Sequence, residues 1–597
     1  MGYRPSLRWR LLASVLALFV LHDSHSRANS QPYDSLLEAL AKKVVNAAQA
    51  PEAELALLDL WHHWEDASPG KAHALLLQLA KEPKLGPTLQ ARVEWLLAHS
   101  KERMGESGAL GAARDSLGFV RQVQVLGPFD NEGKAGFDRP FPLEAEAGKT
   151  PDFTRVWEGK ERPLRWRPYG GRARDGLLDL GGLLRPNENV CAFVAFGLQV
   201  DRNQALQLWV GAGGAFKVWW QGREVLKEPY YRRAFPDRDV VKLEATRGEH
   251  RLLAKVCTAE GQGSWGLYMR VRGADGKSAK GIRFIDAPAS AAAEGAKAAL
   301  APGSTKEGAV AEAASSKASK EEASVKKSRL RQSAKKKAAR PTQGLRSNFR
   351  ILEAAAQQAE AKAEAHEAFA RYLEYTGADD PAEEFTKQHA LRAVEKAPTI
   401  ARLRIAVRSV TQRSEALVLG QKAAELAPQD LESILLRAQI ARGGPSPDEA
   451  LRLLAQLPAS GTPSLQGARL RAEIYSSLEL RQSALRILEG IRPLQEGTPA
   501  WYRMHGLLAE QAGNKDRSIE DFEALLKVRH DDRATRRKLI DDALRRGDEA
   551  RALAHLDVLR RSAGDQVREW LYLAQVYQAL NRDEDALALL AEARGLA

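Results

Sequence analysis

Cysteine is almost absent from this chain: there are two in 597 residues, Cys191 and Cys257, and neither lies in a Cys-x-x-Cys or Cys/His spacing. That excludes a thiolate zinc site and a thioredoxin-type redox motif. Long apolar runs are also missing. The stretch from Leu11 to Leu21 falls well short of the ~20 residues a helix needs to cross a bilayer, so no transmembrane segment is expected in the mature chain. No phosphate loop, His-Glu-x-x-His, Ser/His/Asp or Cys/His pattern stands out, and the expected catalytic, cofactor-binding and metal-ligating residues are none. His62, His63, Glu65, Asp66 and His73 crowd together, but not at a spacing that puts two ligands on one helical face, so they read as solvated helix ends.

What is present begins with export. Arg4, Arg8 and Arg10 precede the short apolar stretch, and Ser26-Arg27-Ala28 follows it with small residues where a signal peptidase cuts. Residues 1–28 are read as a signal peptide cleaved after Ala28, which places the protein in a bacterial periplasm or cell envelope. No Cys follows the apolar stretch to carry a lipid anchor. In an oxidising compartment the two cysteines meet different fates according to fold. Antiparallel pairing of the run Val190 to Phe196 with the run Leu252 to Cys257 brings them together as a disulfide; otherwise they are two buried free thiols, and both readings stay open.

An apolar fraction of 44% and a charged fraction of 28% belong to ordinary globular protein, and the length implies three to five modules. The net charge of +13 is partly local. Residues 287–346 are Ala, Ser, Lys, Glu and Gly with almost no large apolar side chain, a disordered linker by composition. Its end carries Lys326, Lys327, Arg329, Arg331, Lys335, Lys336, Lys337 and Arg340 without an acid between them. This tract is a solvated spacer or touches an anionic envelope polymer; nucleic acid is not expected as a partner of an exported chain.

The expected fold class is α+β multidomain. Residues 33–117 repeat apolar positions at three and four, broken by Pro51, Pro69 and Pro87, as short antiparallel helices. Residues 119–285 change to short alternating runs rich in Val, Phe, Trp and Gly, as in an antiparallel β-sandwich or jelly roll. Trp219 and Trp220 are adjacent in one such run and must point to opposite faces, so one of them is a candidate for stacking on a glycan beside Asp237 and Asp239. Residues 349–396 read as an irregular helical lead-in to a register of frames 34 residues apart, covering residues 397–597 and starting at Ala397, Leu431, Leu465, Pro499, Arg533 and Val567. Position 20 of these frames holds Ala416, Ala450, Ala484, Ser518, Ala552 and Ala586, small residues that let two helices approach, and position 24 is large in every frame except the first, where Gly420 stands.

This register resembles the tetratricopeptide repeat family, which implies a right-handed superhelix with a concave groove for a protein segment and no chemistry of its own. The β region resembles a module of large exported bacterial tetratricopeptide proteins of myxobacterial type. The residues carrying that likeness are Leu126-Gly127-Pro128-Phe129-Asp130-Asn131-Glu132-Gly133, Gly136-Phe137-Asp138, Trp157-Glu158-Gly159-Lys160, and Val218 to Val225, with Gln221 where Asn is usual before Gly222. Such modules often stand upstream of a transglutaminase-like domain, and neither cysteine here matches its nucleophile. The last frame ends at Ala597 without a capping helix, leaving truncation, dimerisation or self-capping open. The expectation is an exported, non-catalytic scaffold whose repeat groove binds protein; the alternatives are glycan or cell-wall binding through the β-sandwich, and the recognition arm of a truncated transglutaminase-like enzyme.

Overall fold

A computed structural model describes residues 32–170, 175–285, 347–444, 447–458, 462–564 and 567–594. The expected signal peptide, 1–28, and the expected linker, 287–346, with its basic tract, lie outside the described residues. The chain has an N-terminal helical region, a curled antiparallel β domain and a C-terminal helical repeat region.

The N-terminal helices are Pro32–Asn46, Pro51–His62, Pro69–Ala80, Pro87–Arg103 and Ala109–Ser116. Pro51, Pro69 and Pro87, which interrupt the sequence pattern, each sit on the first residue of a helix, as does Pro32 before them. There the missing N–H costs nothing and the fixed φ favours a helical start. Tyr33, Leu37, Val44, Leu57, Leu60, Trp64, Leu76 and Val93 form one buried core.

The β domain contains β1 (Gln122–Asp130), β2 (Trp157–Glu158), β3 (Pro163–Leu164), β4 (Arg167–Gly170), β5 (Leu178–Asp179), β6 (Val190–Val200), β7 (Gln204–Trp220), β8 (Arg223–Arg232), β9 (Asp239–Ala245), β10 (Gly248–Thr258), β11 (Gly266–Gly273) and β12 (Ile282–Ile285). The main path runs β4-β1-β6-β10-β7-β11-β5. The first half of β7 pairs with β9 and β11 and the second half with β8 and β10, so this 17-residue strand carries the sheet round a bend. Glycine is needed at the bend. A Cβ on Gly211 would lie 1.7 Å from the Phe235 carbonyl oxygen, and Gly214, at φ +113°, would place one 2.0 Å from that of Cys257.

The bend encloses a core of Val125, Val194, Val210, Phe216, Val218 and Val256. The opposite face of the sheet is buried too, by a covering segment from Asn131 to Trp166 that lays Phe137, Leu143, Trp157 and Trp166 over Phe193, Trp219 and Leu253. Asn131 fixes the start of the segment: its side chain donates to the Thr258 carbonyl at 2.9 Å and accepts from the Phe137 N–H. The buried Lys255 ammonium then donates to the carbonyls of Phe137 and Arg139 and to Glu144, at 2.9 to 3.1 Å and 2.7 Å. Burial pulls this ammonium down to about 8, against the opposing pull of Glu144.

In the repeat region each of the six frames holds two helices: Ile400–Ser409 with Arg413–Leu426, Leu431–Arg442 with Pro447–Leu454, Thr462–Ser477 with Arg481–Gln495, Pro499–Gln511 with Lys515–Val528, Arg533–Arg546 with Glu549–Arg561, and Val567–Ala579 with Asp583–Arg594. The lead-in is more regular than its sequence suggests. Helix Asn348–Ala356 is followed by a packed pair, Ala363–Thr376 with Phe385–Lys396, beginning 34 residues before Ala397. Asp430, Thr498 and Asp532, also in phase, cap the first helices of their pairs by accepting backbone N–H bonds from Ser433, Trp501 and Thr535.

Of the position-20 residues, Ala450, Ala484, Ser518, Ala552 and Ala586 are buried and Ala416 is half-buried. Gly420, where a large residue is usual, leaves space that Ile440 fills, since a Cβ there would meet its Cδ1 at 2.9 Å. At Gly506 an added Cβ would stand 2.8 Å from the Phe522 ring. Gly506→Val is therefore expected to cost about 2 kcal/mol by forcing that pair apart, measured as a lowered urea midpoint of the helical transition.

Candidate interaction groove

The first helices of successive pairs put equivalent residues on one face of the array. Arg469, Arg503 and Arg537 are 34 residues apart and occupy the same position in the third, fourth and fifth frames. Two of them hold the N-terminal region. Arg469 donates to Asp66 at 2.5 Å, and Arg503 pairs with Glu65, which also pairs with Arg529; Arg537 instead pairs with Glu569 of the last repeat. Beside them Gln466 donates to the Tyr33 hydroxyl at 2.9 Å, the His530 N–H donates to the Arg103 carbonyl at 2.7 Å, and Leu465 is buried within the N-terminal core. Glu65 and Asp66 are thus an acidic corner seated on repeat arginines, where the sequence read as a solvated helix end.

A denser set of charges joins the β domain to the first helix after the linker. The Arg350 guanidinium bonds Asp239, Glu228 and Glu353, Arg238 bonds Asp239, Arg232 bonds the Ala378 carbonyl at 2.7 Å, and the Ser347 hydroxyl donates to the Arg238 carbonyl. Burial alone would raise the Glu228 carboxyl, but Arg350, Arg232 and Arg238 outweigh it and hold it down to about 2. The N-terminal helices join the same junction. Glu54 takes Arg92 at 3.3 Å and the Asn348 amide at 2.7 Å, and Asp59 takes Arg371 and Tyr375.

The residues singled out from sequence fall in different places. Trp219 and Trp220 do point to opposite faces, but both are buried, because the covering segment closes the face that a single sheet would leave open. Trp220 stacks on His250 with ring centroids 4.9 Å apart, and its indole N–H donates to the Glu244 carbonyl. Asp237 and Asp239 are not free acids beside them: Asp237 is paired with Arg270, and Asp239 with Arg238 and Arg350. Cys191 and Cys257 stand opposite each other across β6 and β10 and form a disulfide. Gln221 and Gly222 both take positive φ in the β7–β8 turn, and the Gln221 side chain bonds the backbone at Arg251 and Glu249.

On the arginine face a cleft of about 790 Å³ stays open beside the acidic corner, lined by Arg442, Glu473, Ser476, Arg503, Leu507 and Gln511 among others. Leu507 is 36% exposed. Helix pairs in a 34-residue register, packed through small residues, make the C-terminal region a tetratricopeptide-like array. No family model matches the chain, and no curated protein matches its sequence. Solved structures similar to it include a tetratricopeptide repeat protein from Parabacteroides merdae (16% identity, 39% of this chain and 93% of that one, TM-score 0.27). Others are PilF of Pseudomonas aeruginosa (15%, 35% and 93%, TM-score 0.28) and yeast Tom70 (13%, 42% and 54%, TM-score 0.32).

In the helix pair 363–396, His366 and His389 are buried with their Nδ1 atoms 2.9 Å apart. Burial, His366 and Arg392 lower His389 to about 4 from 6.5. The folded chain keeps this imidazole neutral while the unfolded chain protonates it, so stability falls as pH drops from 6.5 towards 4. Urea melts are expected to lose about 2 kcal/mol over that window from this imidazole, a share that His389→Gln removes while the losses from His366 and Glu228 remain. At the acidic corner, Glu65→Arg is expected to destabilise by about 1 to 2 kcal/mol, and Arg503→Glu to restore part of it, giving a double-mutant coupling of about 1 kcal/mol.

Proposed function

We propose that this protein is an exported, non-catalytic scaffold in which the open cleft over the second to fourth repeats receives a segment of a partner protein. The observation that carries this reading is the division of the arginine face. Part of it is held by the chain's own Glu65 and Asp66, while the neighbouring cleft of about 790 Å³ combines charges of both signs with exposed apolar surface at Leu507. Such a mixture suits an extended or helical peptide with apolar anchors flanked by polar groups. The Arg4 to Ala28 pattern supports export, and the disulfide between Cys191 and Cys257 fits an oxidising compartment.

A photo-crosslinking residue at Leu507, in the full chain expressed in its own host, is expected to give one dominant protein adduct. The same residue at Leu587, exposed on the last repeat, should not give it, and Arg442→Glu should weaken the adduct at least about fivefold. A crosslinked pattern identical at both positions would sink the reading. N-terminal sequencing of the mature protein, expected to begin near Asn29, checks the export step separately.

A further inference from the structure

The covered face of the β domain is filled unevenly. Along β6 the residues on that face are Cys191, Phe193, Ala195 and Gly197, and from Phe193 onward they shrink towards the end of the strand. The space that Phe193 fills at one end is left open above Ala195, while Arg251 and Ile285 close over Gly197 beyond it. A cavity of about 470 Å³ results, with Ala195 and Leu253 as floor and Leu143, Phe153 and Trp166 as walls. A cavity of this size accepts a small organic molecule, and its apolar floor disfavours a polyhydroxylated one.

The mouth carries an excess of positive charge. Arg251 lies across Gly197, where an added Cβ would come within 2.3 Å of its guanidinium, and its charge is met by Glu249 at 3.0 Å. Glu146 is met by Arg155 at 3.3 Å. Lys149, exposed at the same mouth, has no ion pair or hydrogen bond from its ammonium group among the described residues.

We propose that this cavity binds an amphipathic organic anion, an acyl or aryl body ending in a carboxylate. The body lies against Trp166 and Leu253 and the carboxylate is met by Lys149. The site is separate from the repeat cleft, so its test stands apart from that of the scaffold reading.

The test is titration of the full chain with anilinonaphthalene sulfonate, followed by displacement with decanoate and with decanol. The expected result is saturable one-to-one uptake that decanoate reverses. Ala195→Phe, which fills the floor, should weaken uptake at least about tenfold without lowering the melting temperature. Gln124→Trp, at a half-buried wall position, provides the same block should Ala195→Phe not fold. Lys149→Glu should weaken displacement by decanoate at least about fivefold and leave that by decanol unchanged. Unsaturable uptake, or uptake unaltered in folded filled variants, overturns the site. Decanol displacing as well as decanoate in both the native chain and Lys149→Glu overturns the anion. Uptake seen only after cleavage within residues 286–346, with the part from Ser347 on still bound, shows that the protein fills its own cavity, and also overturns the assignment.

Discussion

Arg350 stands where three parts of the chain meet, and the arrangement around it constrains all of them. Its guanidinium is shared between Asp239 and Glu228 of the β domain and Glu353 one turn along its own helix. Glu228, Asp239 and Glu353 are almost wholly buried. Carboxylates cannot be taken out of water singly, because each loses several kcal/mol of hydration that only a well-placed cation and further hydrogen bonds offset. Arg232, Arg238 and Arg350 provide these. The cost of leaving any of these acids unmatched makes the relative placement of β8, β9 and helix Asn348–Ala356 specific, although residues 286–346 intervene in sequence. The apolar contacts at the same junction, such as Phe235 with Tyr372 and Leu55 and Leu58 with Phe349, would tolerate more sliding than the charges do.

The same principle operates in weaker form along the repeats. A tetratricopeptide-like array has a face of first helices, and here part of that face is covered by helices from the start of the chain. Leu465 enters their core, and Arg469 and Arg503 take Asp66 and Glu65. Because the arginines recur at the repeat period, the acidic corner could in charge terms sit one repeat further along. Leu465 and the Tyr33–Gln466 bond fix the register instead, since burial of a leucine in a preformed core is position-specific where a half-exposed ion pair is not. Arg537, next in the series, is satisfied by Glu569 and so offers no competing seat.

How much of this was legible depended on whether the information was local. The repeat frames were, because small residues at a fixed period have one purpose, to let helices approach, and five of the six position-20 residues are buried as that purpose demands. The passage from helices to an antiparallel β domain was legible in the change of period at Phe119. The helix pair 363–396 was missed because its second helix departs from the pattern, with Thr386 at position 24 and His389 three residues on, although Ala382 stands at position 20 and Ala370, in phase with Ala438 and Ala472, is fully buried. Glu65 and Asp66 read as solvated because nothing near them in sequence announces arginines some four hundred residues away. The 34-residue spacing of Arg469, Arg503 and Arg537 was the signal that could have raised the question.

Trp219 and Trp220 show the limit of reasoning from a strand alone. Alternation correctly sends the two side chains to opposite faces, but whether a face meets water is decided by what else the chain lays on it. Here the covering segment is long enough to enclose the second face, and it is anchored by polar groups that apolar patterning does not detect. Asn131 holds one end, and Lys255, a lysine within the otherwise apolar run from Leu252 to Cys257, collects two carbonyls and Glu144. A buried lysine with that many acceptors is worth its desolvation only if the segment stays down, so the segment and the lysine specify each other. What the segment does not fill then follows from the strand beneath it: where β6 presents Phe193 the two layers touch, and where it presents Ala195 they enclose a space that Arg251 bounds over Gly197.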